Sequence, residues 1–336
     1  MQLRPRTLSL TLRRLLLVSA AALGATLTGA CGSEDGEDTV RISVIPKGTT
    51  HEFWKSIHAG AKVAAQELGV EITWSGPLRE DDRESQIQVV ENSVIGGADG
   101  IVIAPLDDTA LARPLEEAAA EGIPVIVVDS DVDWDGRVSF VATDNYKGGQ
   151  IAARALGDLL GGEGQVMMMR YLEGSASTEK REAGFLDTLR KDYPGIEVVS
   201  DNQYAGATNE GAYQTSENLL IQFGDVVEGI FCPNESAAFG MLRALEDAGL
   251  AGDKRFVGFD ASEKLVEALR EGTIDGLILQ DPWAMGDLGV RKLVAHLNGE
   301  PVEPRIDTGV HLVTKENMDE PEMSRLLVPD LSVLGD

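Results

Sequence analysis

A chain of 336 residues with 43% hydrophobic and 25% charged side chains can bury one large or two ordinary α/β cores, which excludes wholesale disorder. Against 56 acidic residues stand 29 basic ones, a net charge of −27, and so negative a surface repels a nucleic-acid backbone instead of releasing its counterions. Two cysteines, Cys31 and Cys232, and four scattered histidines offer no close pair at metal-ligand spacing, so neither a structural zinc site nor a disulfide framework is expected.

The first 14 residues carry Arg4, Arg6, Arg13 and Arg14 and no acid, and Leu15 to Ala30 then run apolar and small. This is an export signal, too short for a comfortable bilayer span. Its end, LTGAC, resembles the lipobox of bacterial lipoproteins, in which the cysteine is lipidated; Cys31 is therefore the expected lipid anchor, with Thr28 where leucine is usual. An ordinary signal cut near Ala30 is the alternative. Residues 31–39 are acidic and small, as suits a solvated tether. Cys232, flanked by Ile230 and Phe231, reads as a buried, inert thiol.

From Val40 onward short β-branched runs alternate with helical stretches, the signature of parallel sheets covered on both faces. The first series predicts strands near 40–45, 70–74, 100–104, 124–128 and 138–141, with helices near 53–68, 84–95 and 109–121. The second predicts strands near 165–170, 196–199, 228–231, 256–259 and 274–279, with helices near 146–160, 178–191, 209–223, 235–248 and 263–270. A helix near 283–297 and a strand near 310–313 close the chain. So many strands exceed one comfortable sheet, so the expected fold class is α/β with two doubly wound lobes.

Ligands of such sheets bind beyond the carboxyl ends of the strands. Those ends here carry Lys47, Ala104-Pro105, Asp129-Ser130, Asn234, Phe259-Asp260 and Gln280, with neither GxGxxG nor GxxxxGK[ST] after any strand. No nucleotide or other cofactor is implied. Carboxylates and amides converging with the aromatic faces of Phe53, Trp54, Phe259 and Trp283 suit carbohydrate, because polar groups pair with hydroxyls while rings cover the apolar face of a sugar. Each position also has a plain structural role open to it: Asp129 could end a strand, Asn234 and Asp260 could cap helices, and Phe53 and Trp54 could be core. Met167-Met168-Met169 reads as core packing, Asp107-Asp108 as a helix start, and the run Arg79 to Glu84 as a solvated loop.

Four strings taken together, ATDNYKGG (Ala142 to Gly149), PNESAAFGMLRAL (Pro233 to Leu245), VGFDAS (Val257 to Ser262) and Gln280 before Asp281-Pro282, resemble the periplasmic sugar-binding proteins of ATP-driven importers, the type I ribose- and galactose-binding family. The likeness runs from Val40 to about Thr314. It implies two Rossmann-like lobes joined by three hinge crossovers near Thr143-Asp144, Gln280-Asp281 and Gly309-Val310. The lobes would be 40–143 plus 281–309, and 144–280 plus 310–336. It also implies that Phe53 and Trp54 sandwich a sugar ring with Phe259 as a further aromatic, and that Asp129, Asn234, Asp260 and Gln280 bind its hydroxyls. The chain departs from the family at Lys47, His51 and Ala104, and at Ser130 and Glu179 where arginines are usual, with Arg181 a substitute close by. A different aldose, a polyol or an anionic derivative recruited by Lys47 then stand beside ribose.

The expected function is capture of a monosaccharide or sugar-like ligand by hinge closure, without chemistry, and delivery by a monomeric, envelope-located protein to the permease of an ABC transporter. A sensory receptor docking on a membrane sensor would use the same closed form. An exported glycoside-acting enzyme would need Asp129 and Asp260 as an acid–base pair. A two-lobed repressor would need a DNA-binding segment where the signal lies.

Overall fold

The alternating runs fold into two sheets of six strands, each with helices on both faces. The computed structural model describes residues 39–335; the expected signal segment 1–30 and the expected lipid anchor Cys31 lie outside them. The first lobe is built from β1 (Arg41–Ile45), α1 (Glu52–Leu68), β2 (Glu71–Trp74), α2 (Arg83–Ile95), β3 (Gly100–Ile103), α3 (Ala112–Ala120), β4 (Val125–Val128) and β5 (Ser139–Ala142). The second follows with α4 (Asn145–Leu159), β6 (Glu163–Arg170), α5 (Ala176–Asp192), β7 (Gly195–Tyr204), α6 (Asn209–Phe223), β8 (Gly229–Phe231), α7 (Glu235–Asp247), β9 (Arg255–Phe259), α8 (Glu263–Glu271) and β10 (Gly276–Leu279). The chain then returns through α9 (Pro282–Leu297) and β11 (Arg305–Asp307), and ends with β12 (His311–Val313), α10 (Pro321–Leu327) and a 3₁₀ turn (Ser332–Leu334).

Strand order is β11-β5-β4-β3-β1-β2 in one sheet and β12-β10-β9-β8-β6-β7 in the other. Every pairing is parallel except β10 with β12. Central strands such as β3 (GIVI) and β4 (VIVV) are buried along their whole length, as continuous apolar runs must be between two helical layers, whereas edge strand β2 alternates exposed and half-buried residues. Four apolar clusters result, one on each face of each sheet. Met167, Met168 and Met169 are all fully buried, divided between the two faces of the second sheet.

The chain passes between the sheets three times: at Thr143-Asp144, at Gln280-Asp281 and at 308–310. β11 and α10 were not expected from the sequence. β11 is a three-residue edge strand beside β5 with no apolar run, and α10 is a seven-residue helix whose Met323, Leu326 and Leu327 join the second lobe's core. Arg325 of α10 ties back to Asp281 at 2.7 Å, in the second crossover.

Two glycines explain how close α4 and α5 come. A Cβ on Gly149 would lie 1.9 Å from the carbonyl oxygen of Arg181, and one on Gly184 would lie 2.1 Å from that of Tyr146. Bare backbone at both points lets the helices touch, and this contact sets the start of α5, with Arg181, against the site.

Candidate functional site

The site lies where the carboxyl ends of both sheets face each other, and its side chains issue from the loops after the strands. Lys47, just beyond β1, is 3% exposed; its ammonium lies 3.2 Å from Asp129 Oδ2 and donates to Ser175 Oγ (3.2 Å) and Ser177 Oγ (3.0 Å) across the cleft. Its ammonium thus meets one carboxylate and two hydroxyls.

Asp129 follows β4 and Asp260 follows β9, and both sit in the left-handed region, with φ of 60° and 68°. This conformation is uncommon outside glycine, and aspartate is among the few residues that tolerate it, because its short side chain can bond locally. The two lobes thus present a carboxylate in the same strained way from equivalent strand ends. Asp129 ends a strand yet also faces the cleft. Asp260 does not cap α8, whose N-cap position belongs to Ser262.

Arg181 joins the two carboxylates. Its Nη2 is 3.9 Å from Asp129 Oδ1, its Nη1 is 3.8 Å from Asp260 Oδ2, and its remaining bonds run to Asn145 Oδ1 (2.8 Å) and the Pro233 carbonyl (2.9 Å). The guanidinium stacks 3.9 Å above the Phe259 ring. Phe259 is fully buried in the second lobe's core beneath it and does not line the cavity. Its expected role as a sugar-facing aromatic is thereby corrected: it supports Arg181. Trp283 likewise stands outside the cleft, lining a separate groove.

Gln280 donates to Asp260 Oδ1 at 2.7 Å, while its Oε1 has no hydrogen-bond partner among the described residues. Asn234 occupies the N-cap position of α7 without making the cap bond; its amide reaches Ser236, and its Oδ1 is also unpartnered among the described residues. Two buried acceptors that bond nothing among the described residues are costly unless a donor arrives. Burial pushes the Asp260 carboxyl up to about 6, against the opposing pull of Arg181 and Gln280.

Phe53 and Trp54, at the start of α1, meet edge to face with centroids 4.9 Å apart. Both line the cavity and both also belong to the first lobe's core. The Trp54 indole is fixed by Glu80, which accepts from its Nε1 at 2.8 Å, pairs with His51 Nδ1 at 2.5 Å and accepts from the Tyr171 hydroxyl of the other lobe at 2.9 Å. Glu80 is 6% exposed, so the reading of Arg79 to Glu84 as a uniformly solvated loop is corrected at this residue. Burial opposes charge on both partners, but the pairing prevails: the Glu80 carboxyl is held below its ordinary value and the His51 ring is pushed up to about 9.

Glu80, Tyr171, Ser175, Ser177 and Glu235 are not among the site residues the sequence singles out, and His51 enters there only as a departure from the family pattern. Glu80 lay hidden in a charge run and Tyr171 in a strand end, 91 positions away in sequence, so no local signal joined them. Lys47, His51 and Arg181 face four carboxylates, those of Glu80, Asp129, Asp260 and Glu235, so the cavity is lined by ionic groups of both signs. The lobes are closed on it: about 30 Å³ is open to the centres of water molecules, room for about two waters.

Two α/β lobes on three crossovers, facing each other with polar strand ends across an enclosed space, are the design of a bilobal solute-binding protein. Residues 42–301 match the family described as the periplasmic binding protein domain. The ribose import binding protein of Haemophilus influenzae is 28% identical over 301 residues, 89% of this chain and 98% of that one. The xylitol-binding protein of Mycolicibacterium smegmatis is 26% identical over 309 residues, 90% of this chain and 86% of its own. Among solved structures, a carbohydrate transporter solute-binding protein of Agrobacterium radiobacter in complex with D-arabinose superposes with a TM-score of 0.84 at 36% identity, covering 87% of this chain and all of that one. The chain belongs to the periplasmic binding protein family.

Proposed function

We propose that this chain is an exported solute-binding protein that captures a neutral aldose or polyol of monosaccharide size between its lobes and hands it to the permease of an ABC importer. The observation that carries this reading is the pair of buried, unpartnered acceptors, Asn234 Oδ1 and Gln280 Oε1, beside Asp129 and Asp260. A polyhydroxylated ligand supplies the donors this wall lacks, and Phe53 and Trp54 supply an apolar surface for its C–H face. The relatives support the same class: they are named for ribose and xylitol, and solved neighbours hold D-arabinose and D-fucose. Four carboxylates against three cationic groups around the cavity favour a neutral ligand over a sugar acid.

In this reading Asp129, Asn234, Asp260 and Gln280 take hydroxyls, Phe53 and Trp54 flank the ring, and Lys47 and Arg181 hold the carboxylates in place. The lobes comprise 40–143 with 281–309, and 144–280 with 310 onward, and Cys31 carries the lipid that keeps the protein at a membrane. A thermal-shift screen against D-ribose, D-arabinose, D-allose, D-fucose, xylitol and the corresponding sugar acids tests the ligand class, since a ligand bound only by the native state raises the melting temperature. A shift with neutral sugars or polyols is expected; a shift with sugar acids alone would overturn the assignment. The anchor is tested by detergent phase partition, in which Cys31→Ser should move the protein from the detergent to the aqueous phase.

A further inference from the structure

The close approach that brings α4 onto α5 recurs in the first lobe, between α1 and α9. A Cβ on Gly60 of α1 would lie 2.0 Å from the carbonyl oxygen of Trp283, and one on Gly286 of α9 would lie 2.0 Å from that of Ile57. The two contacts are built alike, because each glycine faces the carbonyl three residues before its partner glycine: Trp283 before Gly286, Ile57 before Gly60, Arg181 before Gly184 and Tyr146 before Gly149. Each lobe thus holds one pair of helices in backbone contact, and any side chain at these points would force them apart.

What the paired helices carry is alike too. α4 and α9 leave the first and second crossovers, and a crossover aspartate caps each: Asp144 accepts from the Lys147 N–H and Asp281 from the Ala284 N–H. Each aspartate stands five residues before the glycine of its helix, Asp144 before Gly149 and Asp281 before Gly286. α1 and α5 bring side chains to the cavity. Phe53 and Trp54 stand seven and six residues before Gly60, and Ser177 and Thr178 stand seven and six before Gly184. At about 3.6 residues per turn, the cavity lies about two turns from the contact in both lobes.

We propose that the two glycine pairs are locks that join each crossover helix to the ligand-facing helix of its lobe as one rigid piece. Gly60 and Gly286 then position Phe53 and Trp54, while Gly149 and Gly184 position Ser177, Thr178 and Arg181. None of the four lines the cavity, so all act as positioning residues. When the lobes turn about their crossovers, the locked helices carry the cavity side chains with them. A looser pair would let α1 slip against α9 and bring the aromatic rings to the ligand out of place. Only the nature of that ligand rests on the function proposed above.

The test reads the first lobe at Trp54, whose indole N–H donates to Glu80 at 2.8 Å. Gly286→Ala drives a methyl into the Ile57 carbonyl and alters no cavity side chain. In this variant the Trp54 indole resonance, one of four in the chain, should shift, and its hydrogen exchange should quicken by about tenfold or more, the scale of a weakened bond to a charged group. Leu293→Ala is the control: it hollows the same helix where Leu293 lies over Gly100, at the far end of the sheet, and should leave the resonance in place. A wild-type indole signal in Gly286→Ala would overturn the proposal, as would an equal change in both variants. Should Gly286→Ala fail to fold, native-state hydrogen exchange of the wild type along a urea series decides. The α1 and α9 amides around the lock should open as one unit, and opening of one helix ahead of the other would overturn the lock. For the sugar identified by thermal shift, Gly286→Ala should weaken binding by about tenfold or more and Leu293→Ala should not; unchanged affinity in Gly286→Ala would also overturn it. A wild type that binds no sugar counts against the proposed function alone, since the indole and exchange readouts need no ligand.

Discussion

Replacing Glu80 by alanine removes the acceptor at which three buried groups meet. The Trp54 indole N–H (2.8 Å) and the Tyr171 hydroxyl (2.9 Å) are left without that partner, and Tyr171 is 1% exposed, so water cannot readily substitute. At about 1–3 kcal/mol for each stranded donor, the two together cost about 2–6 kcal/mol, a large share of the roughly 5–15 kcal/mol that holds a typical domain folded. The third partner, His51, loses its largest raising influence, and with only Glu235 and Asp260 left to oppose burial its titration should move down from about 9. Urea denaturation at pH 7 measures the first effect and an NMR titration of His51 the second. Glu80→Gln, which keeps one carbonyl acceptor and loses the charge, should fall between wild type and alanine. A Glu80→Ala protein within about 0.5 kcal/mol of wild type, or one whose His51 still titrates near 9, would refute the idea that this carboxylate organises the floor of the site.

Other expectations follow from the same geometry. Asp129→Ala and Asn234→Ala should each weaken the identified sugar by about 1–3 kcal/mol, roughly 5- to 150-fold in calorimetric Kd, and unchanged affinity for both would remove them from the site. Gly149→Ala drives a methyl into the Arg181 carbonyl, so a loss of about 1–3 kcal/mol or more is expected in denaturant melts; a neutral effect would mean that α4 and α5 can part freely. Stability should fall as pH rises from 6 to 9. His51, raised to about 9, contributes fully below about 6.5 and loses its contribution as pH passes 9, and Glu182 and Glu235, both raised to about 7 by burial, lose theirs as pH passes 7. Glu80, held low, is ionised throughout that window and contributes no slope of its own. A melting temperature higher at pH 9 than at pH 6 would contradict these assignments.

The alternation of elements was legible because central strands buried on both faces must be written as unbroken β-branched runs, and β3 and β4 are. Asp129 and Gln280 could be picked out because each directly follows a strand, and Asn234 because it lies in the loop after β8, where this architecture places its ligands. β11 escaped because an edge strand of Arg305, Ile306 and Asp307 needs only its backbone to pair with β5. Glu235 reads locally as an acid in the first turn of its own helix, a common dipole-complementing choice, and only the apposition of the lobes shows that it serves another helix. Phe259 differs from the expectation for a related reason: its place as the last residue of β9 is readable, but the guanidinium of Arg181 stacked over its ring is not.

The left-handed backbone at Asp129 and Asp260 narrows the routes by which ligand preference can change over evolutionary time. At those two corners only aspartate, asparagine and glycine are accommodated at low conformational cost, so drift there toggles between charge, amide and nothing while bulky or β-branched newcomers are weeded out. Novel selectivity would therefore arise from neighbours such as Lys47, Asn234 and the aromatic pair, with the two corners kept as a common chassis beneath diverging pockets.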